Sequence, residues 1–252
     1  MRYPLYLTLI LGILASITTL QLEDPNERPG THAKKTPVKE AFGLTLKAGL
    51  WIFKTKFVLA VMLFGMMFDG IIRIVITLSS QYYRMVELPE STFGLIGSLV
   101  AMLGFIIPKL ANKLAQNKGP AHAIAITAVL SLTGLSGMSL FWPYMGLIPA
   151  LFTFSAMYFT GFFVSFYINK ETPSDQRATV LSFKGLAYNI SYGLLGVLYA
   201  LLLKSEKEGI TCPDIENIVF TETFFWFPVT LLLWFSALLM IYFIFLKEKP
   251  KK

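Results

Sequence analysis

Seven apolar runs, each about as long as a membrane is thick, constrain this chain more than any other feature of its sequence. A helix needs about 20 residues to cross a hydrocarbon core of about 30 Å. The runs lie near residues 3–20, 57–79, 92–108, 121–141, 144–168, 178–203 and 223–246. Apolar residues make up 55% of the chain, whereas soluble domains have about 45 to 50% even with glycine counted. The sequence therefore predicts an all-α fold, a polytopic transmembrane helical bundle of seven spans.

The lysines and arginines between these runs indicate how the chain is oriented. If it crosses seven times and its C-terminal tail is cytoplasmic, 17 of the 22 basic residues lie in inner segments and four in outer segments. This bias follows the positive-inside rule. It predicts a multi-pass protein of the plasma (inner) membrane with its N-terminus outside and its C-terminus cytoplasmic. The net charge of +7 is then explained by the orientation of the chain in the lipid bilayer, and no nucleic-acid partner is predicted.

The first run also fits a secretory signal peptide. Met1-Arg2 precedes it, and the small residues Ala15 and Ser16 follow its apolar core, as in a cleavable leader. Cleavage would leave residues 21–56, with seven basic residues, on the outer side. The charge bias therefore favours a retained span.

These assignments divide the chain into four parts. They are a span (1–22), a cytoplasmic central loop (23–56), a six-helix bundle (57–246) and a basic cytoplasmic tail (247–252). Within the loop, the proline-rich and charged residues 23–37 indicate a linker. Residues 38–54 have apolar residues at helical spacing, which predicts a helix lying in the inner membrane interface. The same segment also fits a simple extension of the second span.

The second run contains two charged residues, Asp69 and Arg73, which lie four positions apart and so share a helix face. Each costs about 2.5 to 3.5 kcal/mol at the centre of an isolated spanning helix. Charges at this depth usually face a cavity or a partner. With Gly65, Thr77 and Ser80 they form a continuous polar face, which is typical of a wall of a water-filled path. The two charges also fit a structural ion pair that fixes the rotation of the helix.

A stripe of small and polar residues runs along the sixth run. At about 100° per residue its members fall within a sector of roughly 80°. They are Ala178, Ser182, Gly185, Asn189, Gly193, Gly196 and Ala200. Such a stripe lets another backbone approach closely, and Asn189 can form a hydrogen bond across it. The small residues alone predict helix packing, and the charged sequence just before them, ending at Arg177, adds a functional interpretation.

Residue types that other membrane functions need are scarce. Cys212 is the single cysteine, and His32 and His122 lack neighbouring carboxylates for a metal site. Asp69 is the single acidic residue within a run, so no acid–base cluster for catalysis is indicated. The sequence predicts no enzyme, no cofactor and no metal. A seven-helix receptor or photosensor is the alternative by topology, although the last run has no lysine for a retinal Schiff base.

Two motifs resemble those in the C-terminal half of a major facilitator superfamily transporter. The first is Pro-x-x-x-Arg-Ala-Thr-x-x-Ser, from Pro173 to Ser182, which leads into the small-residue helix. The second runs from Pro108 to Gly119 and is similar to the family's gating motif, Gly-x-Leu-Ala-Asp-Arg-x-Gly-Arg. Here proline replaces the first glycine, Asn112 replaces the aspartate, and the spacing before the last glycine is longer.

The resemblance covers residues 38–246 and implies secondary active transport of a small-molecule substrate by alternating access. The first span would correspond to the family's sixth, so the resemblance implies either a fragment of a longer transporter or a chain that assembles with a separate N-terminal half. The implied path for substrate or coupling ion, a proton included, is lined by Asp69, Arg73, Tyr158, Tyr188, Asn189 and Tyr192. The implied inner gate consists of Asn112, Lys113, Gly119 and Arg177.

Overall fold

The computed structural model describes residues 3–21, 38–174, 176–208 and 212–246. These ranges are helical and contain no strand, which confirms the all-α class. In chain order the helices are α1 (Tyr3–Leu20), α2 (Val38–Lys54), α3 (Lys56–Thr77), α4 (Ser79–Met85), α5 (Phe93–Asn117), α6 (Pro120–Met138), α7 (Leu147–Glu171), α8 (Arg177–Lys207), α9 (Ile215–Phe224) and α10 (Trp226–Ile241). A 3₁₀ turn, Glu90–Thr92, precedes α5, and a π-helical turn, Tyr242–Leu246, follows α10.

Six helical segments of the described chain are long and apolar enough to cross a membrane. They are Lys56–Thr77, Glu90–Asn117, Pro120–Met138, Leu147–Glu171, Arg177–Lys207 and Ile215–Ile244. The predicted polytopic helical bundle is thereby confirmed. In α1 the described apolar stretch is the shorter Leu9–Leu20, so the seventh span stays a prediction.

The chain forms two compact units, residues 1–42 and 43–252. The first unit contains α1, and the second contains the helical bundle. The predicted linker (23–37) and the predicted basic tail (247–252) lie outside the described residues. The four-part division of the chain therefore stays a prediction.

A break at Thr55 separates α2 from α3. Thr55 has extended backbone angles, φ −95° and ψ 92°, so residues 38–54 are not a simple extension of the second span. Ala48 and Ile52 of α2 are buried, and a Cβ added to Gly49 would lie 2.7 Å from the ring of Phe183 on α8. The second half of α2 therefore packs closely against the bundle.

The central helix of the bundle is α3. It packs against α7, α8 and α10, and α7 in turn packs against α5 and α6. Within the chain, 72% of the apolar stretch of α3 is buried, against 11% for the span that contains α5. A helix that is apolar nearly all round is stable only when surrounded by other helices or lipid. Because α3 is surrounded by other helices, its charged residues Asp69 and Arg73 lie within the bundle.

The third span is longer than its apolar run predicts. The run ends at Pro108, but α5 continues through this proline to Asn117. A proline removes one backbone hydrogen bond, which neighbouring helices in a membrane protein can compensate, and α7 packs along α5 here. Most of the motif from Pro108 to Gly119 is therefore helical.

The last span begins earlier than predicted, at Ile215 rather than near residue 223. Residues 215–223 include several polar side chains. Val219, Phe220 and Phe224 nevertheless lie on one side of the helix at helical spacing and are buried. The helix α9 packs against α8, and its Phe224 ring also contacts those of Tyr82 and Phe141. The spacing of these apolar residues favours the helix that forms, although the segment is too polar to count as part of the apolar run.

Aromatic rings join α4, α9 and the turn between α6 and α7. The ring centres of Tyr82 and Phe224 lie 5.6 Å apart, and those of Phe141 and Phe224 lie 5.3 Å apart. The Tyr82 hydroxyl donates a hydrogen bond of 3.0 Å to the carbonyl oxygen of Gly146. Because α4 directly follows α3, this cluster anchors the end of the helix that carries the charged pair.

Candidate functional site

Asp69 and Arg73 form an ion pair within α3. Arg73 Nη2 donates to Asp69 Oδ1 at 2.8 Å and lies 2.6 Å from Oδ2. The second distance is an ion-pair contact whose geometry gives no hydrogen bond, and the buried Oδ2 has no other donor among the described residues. The side chain of Asp69 is 5% exposed and that of Arg73 is 30% exposed. The structural ion pair that the sequence allows is thus formed, with the carboxylate inside and the guanidinium at the edge.

Arg73 connects α3 to α8. Its Nη1 donates to Asn189 Oδ1 at 2.9 Å, and its Cζ lies 5.5 Å from the ring centre of Tyr192. The Thr77 hydroxyl donates to the carbonyl oxygen of Arg73 at 2.9 Å, so in its 3.2 Å contact with Tyr192 the tyrosine hydroxyl is the donor. Four of the predicted path residues, Asp69, Arg73, Asn189 and Tyr192, are therefore brought together.

Tyr188 reaches the same region from inside the bundle. Its side chain is buried, and a Cβ added to Gly65 would overlap its hydroxyl oxygen. Within the described chain this hydroxyl has no hydrogen-bond partner. Nearby, Ser191 Oγ donates to the carbonyl oxygen of Met66 at 3.1 Å. The helices α3 and α8 thus approach closely at Gly65, and Tyr188 lies in the interior rather than at the exposed edge.

Lys184 is a site residue that the sequence interpretation missed. It lies on α8, and its Nζ is 5.5 Å from the ring centre of Tyr188. The same Nζ donates to Ser165 Oγ on α7 at 2.8 Å, and the ammonium interacts electrostatically with Asp69. Its spacing of four residues from Tyr188 was the available signal, because such residues share a helix face. In the sequence, the same lysine also fits the excess of basic residues on the inner side.

The glycines of the small-residue stripe on α8 make no close contact within the described bundle, although Asn189 of the stripe binds Arg73. A Cβ added to Gly185 or Gly193 would meet no atom within 4 Å, and Asn189 between them is exposed. The side of α8 that packs on α3 instead carries Tyr188 and Ser191. The close packing predicted for the stripe is therefore not made within the described residues.

Tyr158, on α7, lies apart from the ion pair. It lines a cleft of about 350 Å³ together with Ile76, Ser80 and other residues of α4, α5 and α7. Ile76 lies three residues beyond Arg73 and on the same side of α3. Tyr158 is therefore near the α4 end of the polar face, and the described contacts do not include one between it and Arg73.

The four residues of the predicted inner gate are all exposed. Asn112 and Lys113 lie near the end of α5, Gly119 precedes α6, and Arg177 begins α8. The Asn112 Oδ1 accepts a hydrogen bond from its neighbour one turn on, at 3.2 Å. Arg177 Nε donates to the carbonyl oxygen of Thr172 at 3.3 Å, which stabilises the turn between α7 and α8. The gate itself stays a prediction.

The chemistry of this site is that of charge binding. It combines a buried carboxylate, a guanidinium and an ammonium with amide and phenol groups. Among the described residues, no three His, Cys, Asp or Glu side chains come together as metal ligands would. The arrangement can hold charged groups of a solute and can exchange the partner of the guanidinium.

Comparison with known families gives a clear match. The profile described as Major Facilitator Superfamily matches residues 1–196, which is well over half of the chain. No curated protein and no solved structure matches it. Taken with the six apolar helices that can cross a membrane, the match establishes that the chain belongs to the Major Facilitator Superfamily and is a multi-pass membrane transporter of small molecules.

Proposed function

We propose that this chain carries out secondary active transport of a small solute by alternating access, as the C-terminal half of a major facilitator transporter. Asp69 is the coupling carboxyl, which takes up and releases a proton, and Arg73 binds the solute at the exposed edge of the site. The proposal places the protein in the plasma (inner) membrane, with its C-terminus cytoplasmic and the N-terminus of this chain outside. The inner gate is formed by Asn112, Lys113, Gly119 and Arg177.

The observation that carries this proposal is the position of the ion pair. A buried pair that served stability alone could be replaced by apolar residues with little loss. Here the guanidinium is 30% exposed, and its Nη1 is bound to Asn189 of α8. Any solute or proton that changes the partner of Arg73 therefore also changes the contact between α3 and α8. That link between binding and helix packing is what alternating access requires.

Two surfaces of the bundle suit contact with a second half. The small-residue stripe of α8 is open, and small residues let the backbones of two membrane helices approach closely. The span that contains α5 is only 11% buried within this chain. The second half either precedes this chain in one polypeptide or is a separate subunit. An in-frame run of five further spans in the DNA upstream of Met1 would identify the first arrangement.

Transport by reconstituted protein tests the coupling role of Asp69. The native transporter, with any second half attached, is placed in proteoliposomes that contain a pH-sensitive dye. Acetate, succinate, inorganic phosphate, glucose and tetraethylammonium are then added outside. We expect one class of solute to drive proton movement, and we expect Asp69→Asn to abolish concentrative uptake.

A matched control uses the carboxylate of Glu90. This residue lies outside the site and is 2.7 Å from Arg84 in an exposed ion pair, so Glu90→Gln makes the same chemical change without touching the site. It should leave transport unchanged. Proton-coupled uptake that persists in Asp69→Asn would remove the coupling role. If the unaltered protein moves none of the solutes, the transport proposal itself is wrong.

A further inference from the structure

We infer that the transported solute is an anion, whose carboxylate or phosphate group binds to Arg73 at the exposed edge of the site while Lys184 supplies a second positive charge. This inference rests on the proposed transport function and names the chemical class of its substrate. It follows from three properties of the site: which charge is accessible, which donors are free, and what the net charge is.

The accessible member of the ion pair is the cation. The Arg73 side chain is 30% exposed, whereas the Asp69 side chain is 5% exposed. Two side chains of α8, Asn189 and Tyr192, contact the guanidinium and still leave 30% of the Arg73 side chain exposed. A solute that arrives along this surface therefore meets the guanidinium before the carboxylate.

The guanidinium also has unused donors. An arginine has five N–H groups, and in the described structure Arg73 uses Nη2 for Asp69 and one N–H of Nη1 for Asn189. Nε makes no described hydrogen bond. Guanidinium groups bind carboxylates and phosphates through paired hydrogen bonds that are stronger than neutral ones. The open edge of Arg73 is thus suited to an anionic group.

The local charge is unbalanced in the same direction. Arg73 and Lys184 carry two positive charges, and Asp69 carries one negative charge. Lys184 donates to the neutral Ser165 hydroxyl at 2.8 Å, and the described salt bridges give it no carboxylate of its own. Both cations are half-buried, and a charge that is partly removed from water is stabilised by an opposite charge nearby. An anion completes the balance, whereas a cation would add to the excess.

Ligand-dependent thermal stability tests this inference. The native transporter, in a neutral detergent and with any second half attached, is heated with acetate, succinate or inorganic phosphate, and separately with glucose or tetraethylammonium. We expect at least one anion to raise the Tm and the neutral and cationic solutes to have no effect. Lys184→Gln should weaken the apparent affinity for that anion by tenfold or more. Arg73→Lys keeps the charge but loses the planar donors, and it should weaken binding further.

Two matched substitutions serve as controls. Arg84→Gln and Lys207→Gln remove exposed basic residues that pair with Glu90 and Glu216, outside the proposed site. Anion binding should be unchanged in both. Anion binding that is equally strong in Lys184→Gln and Arg73→Lys would overturn the inference. The inference would also be overturned if only tetraethylammonium or glucose raised the Tm, or if none of the anions raised it. Transport of tetraethylammonium or glucose would then still support the proposed transport function.

The experiment also separates a solute from a lipid, because a phospholipid headgroup carries the same chemical group. Phosphatidylglycerol is added in one arm and phosphatidylcholine in another. Stabilisation by phosphatidylglycerol and by none of the soluble anions would place a lipid at Arg73 and overturn the assignment to a solute. Stabilisation by a soluble anion in phosphatidylcholine supports it.

Discussion

Replacing Gly65 by alanine tests the close approach of α3 and α8 behind the ion pair. A Cβ at this position would overlap the Tyr188 hydroxyl oxygen and would lie 2.8 Å from Val164 Cγ2 and 3.0 Å from Tyr188 Cζ. These separations are too short for carbon and oxygen atoms, so the ring or the whole of α8 must move. Overpacking of this kind costs about 1 to 3 kcal/mol. We expect the free energy of unfolding to fall by that amount.

The same geometry predicts a partial rescue by Tyr188→Phe. The Tyr188 hydroxyl is buried without a hydrogen-bond partner among the described residues. Its removal alone should therefore be neutral or add up to about 1 kcal/mol, because an unsatisfied buried group no longer has to lose its water. In the Gly65→Ala protein it removes the worst overlap and leaves the contact with Val164. The double variant should recover about half of the loss, a coupling energy of about 0.5 to 1.5 kcal/mol.

Reversible unfolding in mixtures of SDS and a mild detergent measures these energies. The matched control is Gly161→Ala on α7, outside the stripe, where an added Cβ would meet no atom within 4 Å. That variant should gain about 0.5 to 1 kcal/mol from helix propensity. The reasoning is refuted if Gly65→Ala is as stable as the unaltered protein. It is equally refuted if Tyr188→Phe alone loses more than about 1 kcal/mol, because the hydroxyl would then have a partner.

Three further substitutions test other contacts by the same unfolding measurement. Arg73→Gln should lower the free energy of unfolding by about 3 to 5 kcal/mol, because it leaves the Asp69 carboxylate unpaired in the interior. Adding Asp69→Asn to that variant should recover most of the lost stability. A loss below about 1 kcal/mol in Arg73→Gln would contradict the prediction. Gly134→Ala should lower the free energy of unfolding by about 3 kcal/mol, because its Cβ would lie 2.8 Å from the backbone nitrogen of Thr153, which cannot rotate away. A stability equal to that of the double variant Gly65→Ala/Tyr188→Phe would contradict this prediction. Tyr82→Phe should cost about 0.5 to 1.5 kcal/mol through its lost 3.0 Å hydrogen bond and should leave solute binding unchanged.

Spacing along one helix was sufficient to predict the ion pair. Asp69 and Arg73 lie four residues apart, and this spacing alone brings the two side chains together once the run is helical. The spans were predictable for a similar reason, because membrane thickness fixes the length of an apolar helix. Their ends were less predictable. Pro108 does not end α5, since packing against a neighbouring helix overrides the local preference.

The rotation of α8 about its axis could not be read from the sequence. Its stripe of small residues and the side that carries Tyr188 and Ser191 both have features of a packing surface. The structure places the second side on α3, where the Ser191 hydroxyl binds the Met66 carbonyl oxygen, and leaves the stripe open. This choice depends on how side chains of two helices fit, which no single-helix pattern contains. Lys184 was missed for the same reason, because its role depends on Asp69 of another helix.

We propose that the charges of α3 serve solute binding rather than folding, and one double variant distinguishes these two roles. Replacing a buried ion pair by apolar residues of similar volume is often neutral or stabilising by about 1 to 4 kcal/mol. We therefore expect Asp69→Leu/Arg73→Met to unfold at the same or a higher SDS fraction, although it loses the 2.9 Å hydrogen bond to Asn189. The same protein should show no Tm rise with any anion and no proton-coupled uptake. If it is instead less stable by several kcal/mol, the pair is a structural requirement of the bundle, and its depth in the helix is no longer an argument for transport.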